Sequence, residues 1–562
     1  MQMISIRQAF LATVIGLGGV AFLLPSVVQS APYQRPPAAE SFSLAELDNE
    51  PICPEVDPVW REPQVIDGVA VKASPLCNPD NPADIAAFVK GTNNVSHDTI
   101  METQLAMDAV TKGKDRDGDG DPDVIHVRLE VAELNGFSPD FPAPIPAYSV
   151  APGVQPGFWV FAPKTRGMST LNFESLQANY YLRAPSPTLR VEQGDTIKVT
   201  LENTHYLPHT IHFHGVDHPF IDAAGEGNDG VPQTSELPVM PGESRTYEMT
   251  PRHAGTMLYH CHVQPHSHIG MGLVGIMAVE ENRPNNWVQT LNVGGGQVRH
   301  PSVAIKESFD REYDLLYQSV DQTLADKIKI ANDARLIAQA INRDYNITEE
   351  PTNYFLLNGR SFPYTIRESL VVVKPDEQVK LRMANAGQDP VYVHSHGHKM
   401  TITAYDGAPH NPEAWITRDV YTVGPAQRLD LTLNTSIDGL HSYGEGIWLL
   451  HDHTERAVTT DGVNPGGDVT NIVYESFLSE NGLPLGRGVD LKPYFSKEFY
   501  QREVPVWASF DQENLFGDVN KAPAQLQLQP VLVSFGIGVL LGGIVIGVRL
   551  IRIFRRRRPQ EV

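Results

Sequence analysis

Residues 259–266 read Tyr-His-Cys-His-Val-Gln-Pro-His, and a methionine follows at position 271. A thiolate, imidazoles and a weak thioether are the ligands of a blue-copper electron-transfer site. In a β-strand, residues i and i+2 lie on one face and residue i+1 lies on the other. The pattern therefore predicts that Cys261 faces the interior of a domain, while His260 and His262 face outward toward a second metal centre.

The same parity applies upstream, where residues 209–215 read His-Thr-Ile-His-Phe-His-Gly. His212 and His214 share the outward face, and His209 can turn inward beside the cysteine. One isolated His-x-His pair would more simply be a polar strand edge, but here the pairs recur around a copper-type cysteine. The predicted type 1 copper ligands are His209, Cys261, His266 and Met271.

The second half of the chain repeats only the outward histidines, at 394–398 (His-Ser-His-Gly-His) and 451–453 (His-Asp-His). We interpret His268 and His398 as histidines behind the ligands or on the surface. The aspartate Asp452 should point into the second domain and be hydrogen-bonded, because an unpaired buried carboxylate is costly; a proton-supplying role is a hypothesis. The positions that match the four type 1 ligands are Val391, Asp452, Ala457 and Gly462.

With eight outward histidines in four motifs, the chain resembles the multicopper oxidases, in the two-domain, laccase-like form with the type 1 copper in domain 1. The resemblance covers residues 124–477 and includes the connecting segments 229–234 (Asp-Gly-Val-Pro-Gln-Thr) and 357–360 (Leu-Asn-Gly-Arg). It implies four coppers per chain, with Cys261 and its two flanking histidines passing electrons to a trinuclear cluster. The implied type 2 ligands are His212 and His394. The implied type 3 ligands are His214, His260, His262, His396, His451 and His453.

The resemblance also implies an activity and an assembly. A reducing substrate, either a metal ion or a small phenolic or organic donor, is oxidised in one-electron steps, and dioxygen is reduced to water. Each trinuclear cluster is completed between domain 1 of one subunit and domain 2 of the next, and a closed head-to-tail ring gives a homotrimer. A cluster formed within one chain is the alternative.

Two other functions stay open. A copper nitrite reductase shares the two-domain trimer, but that family typically lacks the second histidine after the cysteine and carries an aspartate in its first histidine motif. A copper electron carrier would need only the type 1 site and gives no use for eight outward histidines. The net charge of −23 argues against nucleic acid as a partner and mildly favours cationic donors.

The termini predict a membrane-tethered, exported protein. Residues 1–30 contain an apolar run and a small-residue cleavage site, as in a secretory signal peptide. Residues 530–550 are apolar enough for a single transmembrane helix, and the arginine-rich tail 551–562 follows. Arginines on that side place the C-terminus in the cytoplasm and the copper domains on the periplasmic or extracellular side of the cell membrane.

Strand-like runs and frequent turns predict an all-β fold, and the resemblance implies two cupredoxin-like Greek-key β-sandwiches. We expect an N-terminal extension at 31–123, domain 1 at 124–282, a connector with a helix at 283–352, domain 2 at 353–480 and a stalk at 481–529. Of the three cysteines, Cys53 and Cys77 are free to form a disulfide. An acidic loop with carboxylates at alternate positions resembles a calcium loop, although it lacks the usual final glutamate. Its candidate ligands are Asp115, Asp117, Asp119, Asp121 and Asp123.

Overall fold

The computed structural model describes residues 60–61, 64–66, 69–71, 74–75, 88–90, 106, 109–118, 122–138, 141–145, 148–164, 184–282, 290–293, 296–297, 309–330, 333–349, 352–480, 482–486, 489–503 and 542–552. Several predicted features lie outside these residues. They are the signal peptide, the Cys53–Cys77 pair, Asp119, Asp121, most of the stalk and the first part of the transmembrane segment.

Five short strands come first in the chain, and the last of them joins a sheet of domain 1. They are β1 (Trp60–Arg61), β2 (Gln64–Ile66), β3 (Val69–Val71), β4 (Ser74–Pro75) and β5 (Phe88–Lys90). Strand β1 pairs with β4, and β2 pairs with β3.

Domain 1 consists of strands and one short helix within residues 110–293. In chain order the elements are β6 (Val110–Gly113), β7 (Val124–Leu134), β8 (Gly136–Ser138), β9 (Phe141–Ile145), β10 (Phe158–Pro163), β11 (Thr188–Glu192), β12 (Thr196–Glu202), β13 (His212–His214), β14 (Ser244–Met249), β15 (Gly255–His260), helix α1 (Pro265–His268), β16 (Val274–Glu280) and β17 (Thr290–Val293).

These strands form two sheets around a common core. One sheet has the order β10-β7-β12-β14, with β6 paired to β7, and the other has the order β13-β15-β16-β11-β17-β5. Inward residues of both sheets, such as Val127, Val199, Met257 and Met277, are fully buried in one hydrophobic cluster. Because β6 pairs with β7 along its length, domain 1 begins at least fourteen residues before the predicted boundary at 124.

The connector contains helices that pack on domain 1. They are α2 (Gln322–Ile330), α3 (Ala334–Gln339) and a π-helical turn (Ala340–Asp344). Leu324, Ile328, Ile337 and Ile341 recur at helical spacing and are buried in the domain 1 core. This apolar face attaches the connector to the first domain.

Domain 2 begins before these helices, which corrects the predicted boundary at 353. Strand β19 (Arg311–Val320) pairs in parallel with β22 (Gln378–Asn385) over seven residues, so the segment assigned to the connector supplies a strand to the second domain. In chain order the strands are β18 (Gly296–Gln297), β19 (Arg311–Val320), β20 (Tyr354–Leu357), β21 (Val371–Val373), β22 (Gln378–Asn385), β23 (Val391–Ser395), β24 (Met400–Tyr405), β25 (Ala408–Pro409), β26 (Ile416–Arg418), β27 (Val420–Val423), β28 (Arg428–Asn434), β29 (Ile447–Asp452) and β30 (Thr470–Tyr474).

Two sheets again enclose the core of domain 2. The larger has the order β18-β19-β22-β28-β24-β25, with β20 on β19 and β26 on β24, and the smaller has the order β21-β30-β29-β23-β27. The short helices are α4 (Thr365–Glu368), α5 (Lys497–Tyr500) and 3-10 turns at Pro412–Ala414, Glu455–Val458, Glu475–Phe477 and Lys492–Phe495. The two β-sandwich domains confirm the predicted all-β class.

The domains pack against each other through an apolar and ionic interface. Leu258 and Ile276 of domain 1 are buried with Leu316 and Ala384 of domain 2. Beside them, Arg190 donates hydrogen bonds to three buried carboxylates, one from domain 1 and two from domain 2. These are Glu280 at 2.8 Å, Glu312 at 3.4 Å and Asp314 at 2.7 Å.

The predicted transmembrane segment is described only in its second part, where residues 542–552 are helical. Within the described part of the chain, no helix is both long and apolar enough to cross a membrane.

Candidate copper centre

A buried cysteine lies beside two imidazoles in the core of domain 1. The Sγ atom of Cys261 lies 3.6 Å from Nδ1 of His209 and 3.4 Å from Nδ1 of His268. All three side chains are fully buried. One sulfur and two imidazole nitrogens within 4.8 Å of one another are the donor set of a type 1 copper.

Burial alone makes this site unfavourable for the charged forms of its groups. It raises the pKa of the Cys261 thiol to about 12 and lowers that of His268 to about 3. It also holds the pKa of His209 well below its usual range, with a further contribution from two neighbouring imidazoles. A bound cation stabilises the thiolate and uses neutral imidazoles as ligands, so the site fits a copper ion.

The structure places His268 beside Cys261, whereas the predicted ligand His266 is absent from this cluster of donor atoms. After the cysteine the chain leaves the strand, and Gln264 has a left-handed φ of 46° that turns it into helix α1. This turn leaves His266 partly exposed, with its ring stacked 6.4 Å from that of Tyr345. Strand alternation therefore cannot predict which side chains point inward once the chain enters helix α1. The predicted ligand Met271 is fully buried in the same core.

A polar network behind His209 was not predicted. The Nε2 atom of His209 lies 2.9 Å from Nδ1 of His205, whose Nε2 is 3.8 Å from the Glu133 carboxylate. That carboxylate accepts hydrogen bonds from the Trp159 indole, at 3.0 Å, and from the Tyr206 hydroxyl. Such partners fix the tautomer and ring orientation of a metal-binding histidine. His205 stands four residues before His209 but belongs to no motif, so the sequence offered only weak evidence for it.

The four outward histidines of domain 1 form one cluster. Strands β13 and β15 are antiparallel with His212 opposite His260. The Nε2 atoms of His214 and His260 lie 2.8 Å apart, and the rings of His212 and His262 lie 5.4 Å apart. Burial first, then neighbouring imidazoles, lower the pKa of His214 to about 4 and that of His260 to about 3. The predicted outward parity of both pairs is thus observed.

The orientation of His212 depends on the segment 229–234. Its Nδ1 lies 2.6 Å from the backbone oxygen of Asp229 and 3.3 Å from the carboxylate of that residue. Gly230 permits this approach, because it has φ +76° and a Cβ atom there would lie 2.1 Å from the Ile211 carbonyl oxygen.

Domain 2 contains an equivalent cluster. Strands β23 and β29 place His394 opposite His451, and the Nε2 atoms of His396 and His451 lie 3.3 Å apart. The ring of His453 lies 5.6 Å from that of His394. Nδ1 of His394 lies 3.1 Å from the backbone oxygen of Asp419, as His212 does with Asp229. Both clusters therefore use a backbone oxygen to direct an imidazole outward.

The two clusters stay separate within the chain. Among the described residues, no hydrogen bond or ring contact joins a cluster histidine of domain 1 to one of domain 2. His396 and His453 are exposed at the surface of domain 2. Each domain therefore presents four of the eight outward histidines as a separate cluster.

The position that matches Cys261 in domain 2 is occupied by a satisfied carboxylate. Oδ1 of Asp452 accepts hydrogen bonds from the backbone N–H groups of Tyr392 and Thr454, both at 2.9 Å. The expectation that this aspartate points inward and is hydrogen-bonded is confirmed. Burial raises its pKa.

Two segments of the chain match a protein family described as multicopper oxidase, at residues 178–284 and 323–443. The chain is 27% identical over 257 residues to Laccase-12 of Arabidopsis thaliana, a match that covers 44% of this chain and 39% of that protein. It is 24% identical over 264 residues to copper resistance protein A of Escherichia coli, with coverages of 44% and 41%. The chain thus spans about two fifths of the length of these curated relatives.

Among solved structures, the multicopper oxidase mgLAC is 25% identical and aligns over 67% of this chain and 94% of its own, with a TM-score of 0.46. Both matched segments carry histidine motifs of the two clusters, and the first also contains Cys261. These two segments, residues 178–284 and 323–443, therefore belong to the multicopper oxidase family.

Proposed function

We propose that this protein oxidises a reducing substrate one electron at a time and reduces dioxygen to water. The observation that carries the proposal is the placement of Cys261 between two outward histidines, so that a single peptide segment joins a buried sulfur site to a cluster of imidazoles. When bound, coppers supply the one-electron chemistry and store four electrons for dioxygen. The protein holds the ligands and excludes water from the sulfur site.

We propose that His209, Cys261 and His268 would hold the type 1 copper as its strong ligands and that Met271 would supply the weak thioether ligand. The remaining roles follow the resemblance stated above: His212 and His394 for type 2, and the other six outward histidines for type 3. The donor chemistry fits, because each cluster presents one pair of imidazole Nε2 atoms about 3 Å apart, at 2.8 Å in domain 1 and 3.3 Å in domain 2. Four coppers per chain would satisfy these groups.

We propose that the active form is a homotrimer in which each cluster forms between domain 1 of one subunit and domain 2 of the next. Large apolar side chains are exposed on the segments that carry the half clusters. Leu237 is 81% exposed in domain 1, and Tyr443 is 60% exposed in domain 2. Contiguous exposed apolar groups mark association surfaces. Head-to-tail contacts of this kind close into rings.

If the active form is a trimer, a substitution at the subunit interface should abolish dioxygen consumption without removing the type 1 copper. Leu237→Asp should convert the protein to monomers that keep the blue type 1 absorption but lose most dioxygen consumption, because the half clusters no longer meet. Analytical ultracentrifugation and an oxygen electrode measure the two properties. A fully active monomer would contradict the intersubunit cluster, and Leu485→Asp, on the stalk side, serves as the matched control for an exposed leucine.

We further propose that the protein is exported and anchored, with residues 1–30 directing export, 530–550 spanning the membrane and the basic tail 551–562 in the cytoplasm. The apolar run and the arginines that follow it support this topology. Protease added to spheroplasts, whose cell membrane is exposed, should degrade the copper domains and spare an epitope on the tail. The reverse pattern would refute the proposed orientation.

Copper stoichiometry tests the oxidase against its alternatives. About four coppers per chain, with type 1 and type 2 paramagnetic signals, a spin-silent pair and dioxygen consumption, are expected. Two coppers per chain with no silent pair, together with nitrite reduction, would favour a copper nitrite reductase. One blue copper alone would leave an electron carrier.

A further inference from the structure

The acidic hairpin loop between β6 and β7 lies against two other parts of domain 1. Carboxylate oxygens of Asp115, Asp117 and Asp123 lie within 4.8 Å of one another. The backbone N–H of Thr196 donates to the Asp123 carbonyl oxygen at 2.8 Å, which joins the loop to the turn before β12. Two oxygens bound to one Ca²⁺ at about 2.4 Å each are at most about 4.8 Å apart, so this spacing suits one ion.

The turn between β11 and β12 adds a buried carboxylate to this cluster. Asp195 is fully buried, and its Oδ2 accepts a hydrogen bond from the Glu192 backbone N–H at 2.9 Å. Its Oδ1 is also buried but has no hydrogen-bond partner in the described part of the chain. Burial, then the charges of Glu192, Asp123 and Asp117, raise the pKa of Asp195 well above its usual range. A buried carboxylate oxygen without a donor, in the electrostatic field of other carboxylates, is an environment that a nearby bound cation would stabilise.

The end of β16 adds a second such oxygen. Asn282 is 3% exposed, and its Nδ2 donates to Oδ2 of Asp117 at 3.0 Å, so its carboxamide is directed into the cluster. The Oδ1 atom of Asn282 is buried and lacks a partner among the described residues. Rotating the carboxamide by half a turn would place this oxygen beside Asp117, at the separation of two ligands of one ion.

We propose that Asp115, Asp117, Asp123 and Asn282 bind one Ca²⁺ and that the buried Asp195 carboxylate adds its negative charge beside the ion. Four oxygen donors without sulfur or nitrogen suit a hard cation, and backbone oxygens or water would complete the six to eight ligands that Ca²⁺ takes. The loop alone was recognisable in the sequence. Asp195 and Asn282 come from distant segments, and they add a buried charge and a buried oxygen to the acidic turn.

The proposed ion would fasten three segments of domain 1 in addition to the strand pairing that already joins them. It would tie the β6–β7 hairpin, the β11–β12 turn and the end of β16, where the chain leaves toward the connector. Without the ion, four carboxylates converge and repel one another. The site is independent of the copper ligands, so its function would be structural and would not depend on the proposed oxidase activity.

The test uses Ca²⁺ itself on the copper-loaded, full-length protein after passage over a chelating resin. Equilibrium dialysis with radiolabelled Ca²⁺ in excess Mg²⁺ should give one ion per chain for the wild type. Asp195→Asn and Asn282→Leu should each weaken binding by about tenfold or more, because each removes a charge or a ligand. Asp222→Asn, in another acidic surface loop of the same domain, is the control and should bind normally.

Thermal unfolding with and without Ca²⁺ separates a binding role from a packing role. Asparagine at 195 can still accept the Glu192 N–H, and it removes one of the repelling charges. Asp195→Asn should therefore unfold at the wild-type temperature or higher without Ca²⁺ and at a lower temperature than wild type with it. Absence of stoichiometric Ca²⁺ binding, normal binding by Asp195→Asn, or an equal fall in its unfolding temperature under both conditions would overturn the proposal.

Discussion

Replacing His268 should remove the type 1 copper, whereas replacing His266 should leave it in place. The pattern of the motif favours the histidine five residues after the cysteine, but the structure places the one seven residues after it 3.4 Å from the sulfur. The two residues lie on the same short helix, so they form a matched pair for one experiment.

The structure sets the size of both effects. The fully buried ring of His268 packs 5.3 Å from the Trp159 ring and 5.1 Å from the His209 ring. Truncation to alanine should open a cavity and lower the free energy of unfolding of the copper-free protein by about 2–4 kcal/mol. Copper content should fall from about four to about three ions per chain, because one strong ligand of the type 1 site is gone. His266→Ala loses only a partly exposed ring stacked on Tyr345, which predicts a cost below about 1 kcal/mol.

The assay combines copper analysis with the blue absorption band of the copper–thiolate bond. His268→Gly should lack the band, and added imidazole should restore it by filling the space of the missing ring. His266→Gly should keep the band without added imidazole. Loss of the band in His266→Gly, with its retention in His268→Gly, would refute the ligand assignment and show that helix α1 is rotated in the copper-loaded protein.

Three further predictions concern other parts of the fold. Glu133→Gln weakens the hydrogen-bond acceptor beside His205, which in turn contacts His209. This substitution should lower type 1 copper affinity about 10–100-fold in a competition titration with a chelator. An unchanged affinity would show that the network is not needed. Arg190→Met leaves buried carboxylates of both domains unpaired and should lower the free energy of unfolding by about 3–5 kcal/mol in denaturant titration, whereas Lys198→Met, which breaks an exposed ion pair, should cost less than about 1 kcal/mol. The copper-free protein should lose stability as the pH falls below about 6.5, because burial lowers the pKa of His214 to about 4 and of His260 to about 3 and the unfolded chain takes up protons that the folded chain does not. The loss at about pH 3 should be on the order of 4 kcal/mol for His260 alone, and a flat profile of unfolding free energy between pH 7 and pH 4 would contradict it.

Features that depend on strand parity were predictable from the sequence. Alternation alone placed Cys261 inward and its neighbours outward, because β15 is regular up to that point. The sequence did not predict whether His266 or His268 faces the core. Gln264 has a left-handed backbone conformation and starts a helix, so strand alternation no longer determines which side chain points inward. The backbone conformation of one polar residue is a weak signal in a single sequence.

The sequence also did not predict which distant strands pair with each other. Strand β19 joins domain 2 by parallel pairing with a strand that follows it by more than sixty residues, and no local pattern indicates that partner. The buried oxygens of Asp195 and Asn282 belong to the acidic loop only because the sandwich brings a turn and a strand end together. Local motifs therefore identified the parts of each site that lie on one segment and missed the parts contributed by others.

The two domains show why an inward ligand can be lost while the outward cluster is kept. In domain 1, Nδ1 of His260 lies 2.9 Å from the backbone oxygen of Cys261, and in domain 2, Nδ1 of His451 lies 2.8 Å from the backbone oxygen of Asp452. The outward histidine is thus oriented by the main chain of the next residue and not by its side chain. Cysteine and aspartate can occupy that inward position without moving the imidazole. Because strand alternation separates the two faces, domain 2 can lack the sulfur site and still present its four outward histidines.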